Sequence, residues 1–174
     1  MTELELTRTS GDRRIYSLEG IGTVRLEGVF SNSAIAEAGE RGWRFNRRGF
    51  WQRVLEATDS AGAVVGEFVP RDVRRGGTLR WGGRGLTLRP VSPLRERYVL
   101  CEADRDLVVL DGKGWGRRPV KITIAEPEAI EPGLLLFAAF VVHRLAVNAA
   151  NTAAARSRVL HAVFPSSEGS KSLV

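Results

Sequence analysis

The stretch Pro132-Gly-Leu-Leu-Leu-Phe-Ala-Ala-Phe-Val-Val-His-Arg-Leu-Ala-Val147 is by far the most apolar run in this chain of 174 residues. From Leu134 to Val142 it contains no polar residue, so a helix here is apolar on every face and must be surrounded. A bilayer would surround it, but a span needs about 20 apolar residues, and His143 and Arg144 interrupt this run after about ten. The length therefore predicts a helix buried inside a protein. Pro132 suits a first helical position, and Glu126, Glu128 and Glu131 lie where the helix dipole favours negative charge. The row Phe137, Val141, Arg144, Asn148 and Thr152 turns polar toward its far end, which predicts that the helix starts inside and emerges from about His143 onward.

The residues before this run read as strands. Leu4 and Leu6 alternate with Glu3, Glu5 and Thr7; Tyr16 and Leu18 follow; Val24 and Leu26 alternate with Arg25 and Glu27. Ser10-Gly11-Asp12 and Glu19 to Gly22 are turn material. Residues 33–39 read as a strand by the company they keep, although Ala-Ile-Ala-Glu-Ala would also suit a helical turn. In 41–48, Trp43 and Phe45 share one face while Arg44, Asn46 and Arg48 share the other. Residues 52–58 and 63–70 form a hairpin about Asp59-Ser-Ala-Gly62. Leu79 and Trp81 face inward against Arg80, and Leu86 and Leu88 against Thr87 and Arg89, across Gly82 to Gly85. Residues 96–102 and 106–111 pair across Ala103-Asp104-Arg105, and their near-continuous apolar runs predict strands covered on both faces. Val120, Ile122 and Ile124 mark the last strand.

About twelve short strands, then one helix too apolar for a surface, predict a mainly β fold: a closed antiparallel barrel wrapped around a buried C-terminal helix. The barrel domain is expected to cover residues 1–155. Residues 156–174 form an extension that either continues the helix, pairs as an edge element or touches a membrane surface, with a disordered end from Pro165.

Length suits one domain with a substantial core. The single Cys101 excludes an intrachain disulfide framework, and the start Met-Thr-Glu-Leu-Glu-Leu has no apolar signal core, so a cytoplasmic location is expected, with peripheral membrane attachment as a variant of it. The net charge of +6 comes from arginine, the only lysines being Lys113, Lys121 and Lys171. Such a bias is either a codon effect of a GC-rich genome or an attraction to phosphate, in nucleic acid or on an anionic membrane.

Gly62 to Phe68, Gly76-Gly-Thr-Leu-Arg-Trp81, Tyr98 to Leu110 and the terminal Leu134 to Val142 give the chain a pattern that resembles the tubby C-terminal-like superfamily, which includes tubby proteins, phospholipid scramblases and LURP-one-related proteins. The resemblance covers residues from about 1 to 150 and implies the barrel-and-helix fold. Its scramblase branch implies a calcium-binding acidic segment, a Pro-rich N-terminal arm and a palmitoylated cysteine cluster, and the sequence contains none of them. Its tubby branch implies a basic phosphoinositide site on the barrel wall, which no motif places on particular residues.

Of the candidate sites, the basic and aromatic stretch Arg41, Arg44, Arg47, Arg48 and Arg53 with Trp43, Phe45, Phe50 and Trp51 has the residue types that hold phosphate and stack a base or enter a headgroup layer. The competing reading puts Trp43 and Phe45 in the core and leaves solvated arginines outside. Arg71, Arg74, Arg75, Arg80, Arg84 and Arg89 would extend the patch if their strands are adjacent. Arg41, Arg44, Arg48, Arg80 and Arg89 form the expected ligand-binding set. Glu102, Asp104, Asp106 and Asp111 lack the ligand series of an EF-hand and read as a hairpin. Asp111-Gly-Lys-Gly-Trp-Gly116 lacks the ending of a phosphate-binding loop and reads as a connection. His143 and His161 are too few for a histidine metal site, and Cys101 reads as inert core.

No enzyme activity, cofactor or metal is expected. The sequence favours a binding or scaffolding domain for anionic phospholipid headgroups, met by outward arginines. Nucleic-acid binding through Arg41 to Arg53 and a protein-interaction module with incidental charge are the alternatives. A barrel filled by its own helix confines any ligand to the outer wall or the rim. Phe140→Asp is expected to abolish folding, because a buried unpaired charge costs several kcal/mol against a total stability of about 5–15 kcal/mol. A soluble variant with the parent's melting temperature would overturn the buried helix.

Overall fold

The computed structural model describes the backbone of residues 1–28, 33–49, 53–71, 76–92, 95–111 and 120–163, and the side chains of all these except 92–96 and 149–163. Its wall is made of twelve antiparallel strands. They are β1 (Thr2–Arg8), β2 (Ile15–Leu18), β3 (Gly22–Leu26), β4 (Ala34–Ala38), β5 (Arg41–Arg48) and β6 (Val54–Asp59). The second half comprises β7 (Val64–Pro70), β8 (Gly77–Trp81), β9 (Arg84–Ser92), β10 (Arg95–Glu102), β11 (Arg105–Asp111) and β12 (Val120–Ile124). Each strand pairs with the next, and β1 closes on β12 with Thr2 opposite Ile124 and Leu6 opposite Val120. A turn of 3-10 helix at Pro127–Ala129 leads to α1 (Pro132–Val163), which threads the barrel.

Strand number and helix diameter match. Twelve strands about 4.8 Å apart and tilted by about 40° close at a backbone radius of about 12 Å. That is close to the separation of about 10 Å between packed layers, so one helix fills the lumen with a single shell of side chains on each side. The shell alternates large and small. The cross-strand row Leu26, Ala34, Phe45, Ala57, Gly66 and Trp81 sets each bulky side chain beside a small one. Phe45 packs on Phe137 and Phe140 at ring separations of 5.1 and 5.4 Å, and Trp81 on Phe137 at 5.7 Å. The helix lies closest to β3 and β4, where Ala34 and Ala36 face inward and leave it room.

Every residue of α1 from Leu134 to Ala146 is buried, including His143 and Arg144. Emergence therefore comes at Val147 and Asn148, one turn later than the polarity of His143 suggests. The helix then continues unbroken across residue 155 to Val163, so residues 156–163 extend it. Glu131, expected to act on the helix dipole, instead accepts a hydrogen bond from Trp81 Nε1 at 3.2 Å and pairs with Arg41 at 3.7 Å.

The apolar run of β10 is covered on both faces as expected, with Tyr98 and Leu100 in the core and Val99 and Cys101 buried on the outer face, whereas that of β11 has a different cause. A register shift after Leu100 places Cys101 opposite Asp106, so Leu107 and Val108 are both buried at a bulge, while Val109 on the outer face is half-buried. Cys101 is buried but does not belong to the core: it lies on the outer face beneath Arg89, whose Nε donates to Sγ at 3.1 Å.

The start of α1 is wedged between two indoles. A Cβ added to Gly133 would stand 2.6 Å from Cζ2 of both Trp43 and Trp81. Alanine exceeds glycine in helix propensity by about 1 kcal/mol, yet Gly133→Ala is expected to destabilise the protein by about 1–3 kcal/mol through overpacking. Chemical denaturation would show it, and an unchanged or raised midpoint would mean that the indoles yield.

Candidate functional site

Because the strands form one meander, all odd-to-even connections lie at one end of the barrel and all even-to-odd ones at the other. We call the end where α1 begins the floor and the end where it leaves the mouth. The floor connections, 19–21, 39–40, 60–63, 82–83, 103–104 and 125–131, carry Glu19, Glu40, Asp104, Glu126, Glu128 and Glu131 and no basic residue. Arginines at the floor ends of strands are held by carboxylates: Arg41 by Glu131, Arg84 by Glu102 through two hydrogen bonds of 2.8 and 2.9 Å, and Arg105 by Glu102 and Glu126. Arg84 also donates to the Ala129 carbonyl at 2.9 Å, fixing the turn that feeds the helix into the barrel.

The mouth has the opposite sign. Among the described residues its connections hold Arg13, Arg14, Arg53 and Arg71 against Asp12 and Glu27, with Arg14 paired to Asp12 at 3.2 Å, and Arg8, Arg48 and Asp111 end their strands there. Among the described residues the connections are thus acidic at the floor and basic at the mouth.

The five arginines expected to bind ligand do not form one patch. Arg41 and Arg48 sit at opposite ends of β5, about 23 Å apart along the strand. Arg41 stacks over Trp43 at 5.1 Å on the floor. On the outer wall Arg44 pairs with Glu27 at 3.6 Å, and Arg48 with Glu56 at 2.6 Å and Glu67 at 3.4 Å. Glu56 and Glu67 stand directly opposite each other, a repulsive cross-strand pair, and Arg80 is opposite Glu67. Arg48 bridges the two glutamates and Arg80 flanks them, which gives both a structural task. Arg89 pairs with Asp106 at 2.7 Å. Trp43 and Phe45 are buried in the lumen, so neither offers a face to a base; Phe50, Trp51, Arg74 and Arg75 lie outside the described residues.

Sequence reasoning named Arg47 in the basic stretch and His143 and Arg144 at the emerging end of the helix, but it missed Arg8 and the inward parity that places Arg8 and Arg47 at the mouth. Arg8 shares the inward parity of Leu6; its guanidinium stands over the Tyr16 ring at 5.8 Å, and Nη2 donates to the Tyr16 hydroxyl at 3.4 Å. Tyr16 in turn meets His143, with ring centroids 6.1 Å apart. Arg47 shares the inward parity of Trp43 and Phe45 and stays exposed at the end of β5. Arg144 is buried on α1, where burial and the charge of Arg47 lower its pKa. The signal was in the strand parity, which aims Arg8 and Arg47 into the lumen at its mouth.

The remaining candidates resolve into local structure. Glu102 serves Arg84 and Arg105, and Asp106 serves Arg89 while accepting from the Cys101 thiol at 3.2 Å. These partners hold both carboxylates below the usual range, and burial raises the Cys101 thiol. Among the described residues no group of His, Cys, Asp and Glu could hold a metal ion, and no helix is long and apolar enough to cross a membrane. No family model, curated protein or solved structure matches the chain.

His143 offers a test of the mouth's electrostatics. Burial pushes its pKa from 6.5 down to about 3, with Arg144 and Arg8 adding repulsion. Between those values the unfolded chain binds a proton that the folded one refuses, so stability falls as pH drops from about 6.5 toward about 3. The carboxylates with lowered pKa lose their contribution only below about pH 4.5. Going from pH 6.5 to 4.5 is therefore expected to cost about 2–3 kcal/mol, and His143→Phe is expected to remove most of that slope. Equal slopes in parent and variant would place the imidazole in water.

Proposed function

We propose that this protein is a non-catalytic binding domain that meets an anionic surface end-on, with its basic mouth toward the partner. The observation that carries this reading is the segregation of charge along the barrel axis: acidic connections at the floor, arginine-bearing ones at the mouth. A codon bias toward arginine would enrich both ends alike. An axial charge separation orients the molecule in the field of a negative surface before contact, and each basic side chain near an anionic bilayer contributes about 1 kcal/mol.

The favoured surface is a phospholipid membrane, and its site moves from the wall to the rim. Wall arginines such as Arg44 and Arg89 are engaged by carboxylates, and so is Arg48 at the mouth end of β5, whereas the mouth connections hold more arginines than carboxylates. α1 leaves through that mouth and its backbone runs on for about 25 Å beyond Ala146. The sequence of that length includes Arg156, Arg158, Val159 and Leu160, a composition suited to the interfacial layer of a membrane. The barrel-and-helix arrangement also supports the proposed kinship with the tubby C-terminal-like superfamily. Nucleic acid is the alternative partner, since the same rim would track a phosphate backbone.

Co-sedimentation with vesicles separates these readings. The protein is expected to pellet with phosphatidylserine-containing vesicles at about 0.05 M salt, to stay in solution with phosphatidylcholine alone, and to be released at about 0.5 M salt. Arg13→Glu with Arg71→Glu is expected to weaken binding at least tenfold, and Arg44→Gln with Arg89→Gln to leave it within about twofold. Binding to DNA but not to anionic vesicles would select the nucleic-acid reading. Binding to neither would leave a protein-interaction module.

A further inference from the structure

A barrel that approaches a flat surface end-on meets a conflict at its mouth. Arg13, in the connection after β1, and Arg71, in the connection after β7, stand half a circumference apart on the rim, about 24 Å across. α1 leaves between them and stays helical from Ala146 to Val163. A flat surface that touches both arginines therefore lies across the path of the helix. Driven straight into a bilayer, the helix carries Arg156 about 15 Å beyond Ala146, past a headgroup layer of about 6 Å and into hydrocarbon, where charged side chains are costly. Laid flat as a rigid rod, it tips the barrel and lifts one of the two arginines away.

The residues at the exit suit a break. Soon after Ala146, the last buried residue of α1 before it emerges, come Asn148, Asn151 and Thr152, all of low helix propensity. Asparagine is second only to glycine just past a helix end, and Asn and Thr are favoured N-caps. Asn148 can thus close one helix and Asn151 or Thr152 open another. Arg144 already lies in the turn before Asn148, where the dipole of the inner helix favours a cation. Ala149, Ala150, Ala153, Ala154 and Ala155 have the highest helix propensity and keep α1 continuous while nothing pulls on its end. Beyond the break, Val159, Leu160 and Val163 recur at the spacing of one helical stripe, alongside the basic Arg156 and Arg158, a pattern that suits the interfacial layer.

From this conflict and these residues we infer that α1 is jointed between Asn148 and Thr152, and that contact with an anionic bilayer turns its outer segment from the barrel axis into the headgroup plane. The joint rests on the end-on reading of the mouth and adds to it the fate of the helix: it lets the whole rim and residues 152–163 bind one surface at once.

Double electron–electron resonance between nitroxides on Glu128→Cys, at the exposed floor, and Ala162→Cys, near the far end of α1, measures the turn in the full chain, where Cys101 is buried. Along an unbroken helix the labels are expected about 45 Å apart, and after a turn of about 90° at Asn151 about 33 Å apart. The longer distance is expected in solution and with phosphatidylcholine vesicles, the shorter one with phosphatidylserine-containing vesicles at about 0.05 M salt. Asn148→Ala with Asn151→Ala and Thr152→Ala removes the caps and stiffens the helix. It is expected to keep the longer distance and to weaken vesicle binding about tenfold, at an unchanged or raised Tm. Ala149→Gly with Ala150→Gly loosens the same segment and is expected to bind at least as tightly as the parent. Vesicle binding with the labels still at the longer distance, or full binding by the triple alanine variant, would overturn the joint and leave the surface reading standing. A parent protein that ignores phosphatidylserine vesicles would remove the surface reading and the joint with it.

Discussion

A helix that is apolar on every face cannot coexist with water, and the rest of this structure follows from supplying it with a wall. Leu134 to Val142 have no face to give to solvent, so a single sheet packed on one side would leave half of the helix exposed. Closure of β1 on β12 covers every side and also removes the sheet edges that would recruit other chains. The helix needs the barrel, and the barrel needs the helix. Twelve strands without it would enclose a lumen too wide for their own side chains to fill, since about eight strands is the limit for that.

This mutual requirement decides where charge can go. The lumen admits none along most of its length, so ionisable groups are driven to the outer wall and the two ends. On the wall, arginines meet glutamates and aspartates across neighbouring strands, and most of that surface is internally neutralised. The floor must anchor the beginning of the helix, and its carboxylates do so: Glu131 joins Trp81 and Arg41 to the helix start, and Glu102 holds Arg84 against the Ala129 carbonyl. What remains is positive and collects at the mouth. The acidic floor has a structural explanation in these anchors; at the mouth Asp12 holds Arg14, and Glu56 and Glu67 hold Arg48, so the excess that attracts a functional reading is Arg13, Arg53 and Arg71.

The fold was legible because two periodicities speak for it. Alternation of apolar residues through β1 to β12 sets the wall, and the sudden loss of polar residues at Leu134 sets the plug. Even the ambiguous Ala-Ile-Ala-Glu-Ala of β4 resolves by context, since its small inward side chains are where the helix leans. The bulge that buries both Leu107 and Val108 was hidden, because a continuous apolar run reads the same whether a strand is covered twice or locally kinked. The candidate site was legible in kind but not in place. Arginine excess pointed to an anionic partner, but charge clusters counted along the sequence ignore which end of each strand a residue occupies. Arg41 and Arg48 are neighbours in sequence and lie at opposite poles.

His143 and Arg144 show the same lesson at the scale of one turn. In the sequence they look like the point where the helix meets water, because polar residues in an apolar run usually mark its edge. In the fold they remain buried, since Arg8, Tyr16 and Arg47 extend the wall upward by one layer of side chains that are themselves polar. The mouth therefore has a transition zone, neither apolar core nor open solvent, in which the Arg144 guanidinium is partly desolvated. Positive charge in such a zone acts more strongly on an incoming anion than the same charge on the wall, because less water stands between them. The helix that fills the barrel thereby carries a partly desolvated positive charge to the end where it leaves.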